Sequence, residues 1–157
     1  MSTFKIFDTA GSGLSAESVR LNTVASNLAN ADNISGDPST VYKARHPVFQ
    51  AVQKQVQANL GLTPPGSSPS AVDIAGLSAA SGSTVRVAGI VESQAASQAR
   101  YDPGNPLADA NGNVYTSNVN VVEEMTDMIS ASRAYQNNVE VMNTAKSLML
   151  STLKLGQ

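Results

Sequence analysis

From Val121 to Leu155 the chain contains neither glycine nor proline, and this uninterrupted stretch constrains the fold more than any other feature. Asn120 followed by Glu123 resembles a capping box, with Asn in place of Ser or Thr, and so marks a helix start. Glu123, Glu124 and Asp127 lie where the helix dipole favours acid, and Lys146 and Lys154 lie towards the far end. Val121, Met128, Tyr135, Met142 and Met149 form one seven-residue series. Met125, Val139 and Leu153 belong to a second, interrupted by Ser132 and Lys146. Two such series make an a/d seam of the kind that pairs helices. At 1.5 Å per residue the helix would be about 50 Å long, whereas ordinary globular helices run about 11–12 residues.

A second helix is expected from about Thr3 to Asn30. Phe7, Leu14, Leu21 and Leu28 recur every seven residues, with Ala10, Val24 and Ala31 at the interleaved positions and Glu17 breaking that set. Gly11 and Gly13 would each cost about 1 kcal/mol inside a helix, so the first ten residues are expected to be either frayed or helical only when packed. Asn33, Gly36 and Pro38 stop the helix.

Between the helices the periodicity changes. Val41-Tyr-Lys-Ala-Arg-His-Pro-Val-Phe-Gln50 places β-favouring residues on both sides of a proline, which suits an edge strand. Residues 61–82 are rich in Ser, Pro, Ala and Gly and read as a loop or mobile stretch. Val85, Val87, Gly89 and Val91 alternate as in a half-buried strand. Tyr101-Asp-Pro-Gly-Asn-Pro106 is turn chemistry, and Asp109-Ala-Asn-Gly-Asn-Val-Tyr115 suits a short hairpin. The expected fold is mainly α with a small β-rich insertion, its long terminal helices pairing as an antiparallel coiled coil. Its units are 1–32, a central irregular module 33–117, and 118–157.

Such a chain has little with which to fill a core. Three Phe and four Tyr, with no Trp, make up 4% of its 157 residues, and aromatics supply the largest buried areas. Two helices that offer one stripe each bury little until neighbouring molecules pack around them. The pattern therefore points to a subunit that assembles through Leu14, Leu21, Val24 and Leu28 at one end. At the other end the interface residues are Val121, Met125, Met128, Tyr135, Val139, Met142, Met149 and Leu153.

Other functions find less support. Net charge is −2 and the ten basic residues are scattered, so nothing attracts nucleic acid or an anionic membrane. With no cysteine, disulfides and thiolate metal sites are excluded. No run of eighteen apolar residues exists to span a bilayer, and the N-terminus lacks the apolar stretch of a signal peptide. Export, if it occurs, is expected to leave no cleaved signal. His46 is the single histidine and stands beside Pro47 with no sign of a triad. Asp109, Asn111 and Asn113 imitate a calcium loop, but Val114 replaces its glycine and Asn120 its bidentate Glu, so a polar turn is expected. Gly11-Ser-Gly13 lacks the third glycine of a phosphate loop. Asn33-Ile-Ser35 is a glycosylation sequon by pattern alone. No catalytic, cofactor or metal site is expected, which leaves a helical adaptor or chaperone-like binding module as the alternative to a structural subunit.

Ser12-Gly-Leu-Ser-Ala-Glu-Ser-Val-Arg-Leu-Asn-Thr-Val-Ala-Ser-Asn-Leu-Ala-Asn30 resembles the N-terminal signature of bacterial flagellar rod and hook proteins. Tyr42-Lys-Ala-Arg-His-Pro-Val-Phe-Gln50 narrows the likeness to the rod members. Tyr101–Tyr115, Asn118–Met125, Ser132–Met142 and Leu155–Gln157 carry it to the C-terminus, over roughly two-thirds of the chain. Ala31-Asp-Asn-Ile-Ser-Gly36 departs from the Asn-Thr-like continuation of the wider family, and residues 61–82 match nothing in it. The resemblance implies a non-catalytic subunit of the proximal rod, the drive shaft crossing the periplasm, exported unfolded through the flagellar type III channel. It implies as neighbours further copies of the chain, the rod proteins FlgB, FlgF and FlgG, and the base protein FliE.

Overall fold

The first helical pattern yields α1 (Thr3–Ala29), unbroken across both glycines. The computed structural model describes residues 3–53 and 83–155. The loop expected at 61–82 lies outside the described residues. The glycine-free stretch forms α2 (Val121–Leu155), capped by Asn120, whose Oδ1 accepts from the Val122 amide at 3.2 Å. The helices pack antiparallel: Arg20 meets Asp127, and Gly13 backs onto Asn138. A Cβ at Gly13 would lie 2.9 Å from Asn138 Nδ2, so a side chain there would require the Asn138 amide to shift.

Among the described residues five strands lie between the helices: β1 (Ile34–Ser35), β2 (Arg45–Gln53), β3 (Ser83–Glu92), β4 (Gln98–Tyr101) and β5 (Asn113–Thr116). β1, β5 and β4 form an antiparallel sheet with β5 central, and β2 pairs antiparallel with β3. The hairpin expected within Asp109–Tyr115 is thus a turn leading into β5, whose partners are β1 and β4. Val48 faces Gly89 and Phe49 faces Val87, so Ala88 is the extra residue of a bulge.

β3 differs from the half-buried strand that its alternation suggests. Val85, Ile90 and Val91 are exposed, as are Val48 and Phe49 opposite. A two-stranded ribbon has no second layer of its own. Its anchor on α1 includes one bond from the Val85 amide to Ser12 Oγ, at 3.2 Å.

Among the described residues the buried apolar ones are all alanine or valine: Ala10, Ala16 and Val24 on α1, Ala131 and Ala145 on α2, and Val41, Ala44 and Val114 between them. Side chains this small bury modest area, so hydrogen bonds do much of the positioning. Gly36 packs beneath the backbone of Leu107, whose carbonyl oxygen would lie 2.5 Å from a Cβ. Gly36→Ala is expected to cost about 1–3 kcal/mol, as overpacking does; urea denaturation of the variant checks it.

Candidate assembly surface

Positions 124, 131, 138 and 145, spaced seven apart, carry the inward stripe of α2. Ala131 is 0% exposed, Glu124 and Ala145 are buried, and Asn138 is half-buried. The expected first series lies alongside: Met128, Met142 and Met149 are half-buried, Val121 and Tyr135 exposed. The second faces away, with Met125 51%, Val139 37% and Leu153 63% exposed. On α1, Val24 is buried and Leu14, Leu21 and Leu28 flank the contact, half-buried. One antiparallel neighbour covers one stripe, so the bulkier residues remain outside it.

At 100° per residue, Val141 and Leu148 flank the inward stripe on one side and Tyr135 and Leu153 on the other. Val141 and Leu148 join Ile6 and Ala145 along a groove of about 480 Å³. α2 therefore presents apolar side chains on both flanks, the kind of surface that marks an interaction site. Glu17, which breaks the apolar series of α1, lies 3.8 Å from Arg20, and Arg20 donates to Asp127 Oδ1 across the helix pair at 3.0 Å.

One end of the pair is held by a buried amide. Asn27 is 0% exposed, and its side chain makes four hydrogen bonds. Nδ2 donates to the Arg45 carbonyl at 2.8 Å and to Glu124 Oε1 at 2.9 Å. Oδ1 accepts from Tyr42 Oη and from the Arg45 amide, both at 2.9 Å. α1, the start of β2 and the start of α2 thus meet on one side chain. Asn118 adds a parallel tie, accepting from the Ala44 amide and donating to the Ala95 carbonyl, each at 2.8 Å. Burial pushes the Tyr42 hydroxyl and the Glu124 carboxyl above their ordinary values. None of Asn27, Glu124, Ala131 or Ala145 was singled out from sequence as a contact residue. The seven-residue spacing of Glu124, Ala131, Asn138 and Ala145 was the available signal, masked by their small or polar character.

The remaining candidates sit apart. His46 is exposed on β2 opposite Val91. Asp109 closes the expected polar turn, Oδ1 accepting from the Asn111 and Asn113 amides at 2.8 Å, while Gly112 takes φ +77°. Those amides hold the Asp109 carboxyl below its ordinary value. Its contribution is therefore present above the unfolded range and lost as pH falls through the lowered value. Asp109→Asn is expected to flatten the acid limb of a stability–pH curve, read by thermal melting from mildly to strongly acid buffer. Among the described residues no group of three or more His, Cys, Asp or Glu could hold a metal, and no helix is long and apolar enough to cross a membrane.

The ends that carry this geometry are also the ends that match known families. The model described as "Flagella basal body rod protein" matches residues 7–34, and "Flagellar basal body rod FlgEFG protein C-terminal" matches 110–155. α1 and α2 are thus the defining elements of a flagellar rod-type protein. The chain is 49% identical to the flagellar basal-body rod protein FlgC of Salmonella typhimurium, 48% to that of Escherichia coli O157:H7 and 47% to that of Yersinia enterocolitica. Each match spans 100% of both chains. The chain belongs to the FlgC family of flagellar basal-body rod proteins.

Proposed function

We propose that the chain is a non-catalytic structural subunit of the proximal rod of the flagellar basal body, in the periplasm, and that it transmits torque. Residues 1–32 and 118–157 form its assembly core, and 33–117 is the module outside that core. The observation that supports this reading is the division of α2: small or polar residues face α1, while Met125, Val139, Leu148 and Leu153 are exposed on its outer faces. Packing against other copies and against FlgB, FlgF, FlgG and FliE would cover those flanks and extend the helix pair into coiled-coil contacts. Leu14, Leu21 and Leu28, half-buried in the single chain, complete the proposed interface with Val121, Met128, Tyr135, Met142 and Met149, while Val24, already buried within the chain, serves the helix pair itself.

Imaging of basal bodies built with this chain tests the proposal. The expected result is both helices in the rod wall with Val139 and Leu153 at subunit contacts. Finding those side chains in solvent, or the chain absent from the rod, overturns it. An adaptor would instead give an isolated monomer whose helix amides are as well protected as those in any assembly.

A further inference from the structure

Glu124 is a buried carboxyl that the rod reading leaves without a role. The residue is 4% exposed; Oε1 accepts from Asn27, while Oε2 is sealed from solvent with no hydrogen-bond partner among the described residues. Glu17 Oε2 is also sealed, but the Arg20 guanidinium stands 3.8 Å away; no ion pair of Glu124 is found among the described residues. An ionised carboxyl with one sealed, unmatched oxygen is costly, and protonation removes the charge.

The surrounding charges do not remove that cost. From α1, Arg20 is engaged by Asp127 and Glu17; from β2, Arg45 is paired with Glu92 of β3 at 2.9 Å. The Asn27 amide that donates to Oε1 and, more weakly, His46 favour the ionised form, whereas burial, which outweighs them, and Asp127 and Glu123 on α2 itself oppose it. Tyr42 donates to Asn27 and leaves Glu124 without its hydroxyl proton.

We propose that Glu124 is a proton-linked latch: protonated, it closes the junction of α1, β2 and α2 through Asn27, and ionisation loosens that junction. Burial raises the carboxyl above its ordinary value. The folded state therefore binds this proton more readily than the unfolded chain, so the contribution is complete at low pH and lost as pH rises through the raised value. Asp37 and Asp109 titrate in the opposite sense, held low by their turn hydrogen bonds. As pH rises both ionise before Glu124 does.

The Arg45 amide, which donates to Asn27 Oδ1, reports the latch. In the full-length chain its hydrogen exchange, corrected for intrinsic pH dependence, should be several-fold slower in mildly acid than in neutral buffer. Glu124→Gln should remove that difference and His46→Ala should keep it. Equal pH dependence in the wild type and Glu124→Gln overturns the latch. An infrared titration of the wild-type chain gives a readout independent of whether the variant folds. One carboxylic-acid component should ionise at higher pH than the ordinary carboxyls of the chain, and its absence overturns the proposal.

Discussion

Asn27→Ala is expected to lower the stability of the chain by on the order of 4 kcal/mol, a large loss for one surface-sized side chain. The substitution removes little apolar area, so the effect comes from what is left behind. The Arg45 amide and carbonyl, the Tyr42 hydroxyl and Glu124 Oε1 all bond to Asn27. The Glu124 bond is fully buried and the other three are part-buried; each stranded group costs about 1–3 kcal/mol, towards the low end where water can enter. Urea denaturation of the wild type and the variant measures the difference. A loss under about 1 kcal/mol, the worth of a single ordinary hydrogen bond, would mean that the junction does not rest on Asn27.

Val139→Asp is expected to abolish swimming while leaving the isolated chain folded as before. Val139 is already 37% exposed on the outer flank of α2, so a carboxylate there has water in the monomer. In a packed rod the same charge would be buried without a partner, at a cost of several kcal/mol at every subunit. Leu21→Asp is expected to act in the same direction, with some loss of monomer stability because Leu21 is half-buried. Ala131→Asp is the contrasting control: at 0% exposure it should unfold the monomer itself. Motility in soft agar, with circular dichroism of the purified variants, separates the cases. A swimming strain with a full rod built from Val139→Asp would remove the outer flank from the assembly interface.

Both helices were legible because their signals are local and repeated. Val121 to Leu155 lacks any helix breaker, and Leu14, Leu21 and Leu28 mark a helical period that two glycines do not interrupt. β2 and β3 were legible for the same reason, through β-favouring residues and alternation. Their exposure was not, because alternation states which side chains share a face and not whether anything covers it. The seam shows the same gap. Large residues announce a stripe, yet Ala131 and Ala145 occupy the contact, since close approach of two backbones favours whatever is smallest.

Element type and order, and the shortage of bulky core residues, follow from composition and near-neighbour spacing, which the linear chain carries in full. The Asn27 junction belongs to the folded state alone. Its bonds join residues 18 and 97 positions apart, and an amide can bond to almost any polar group placed beside it. Which groups those are depends on where the strands and the second helix lie in space.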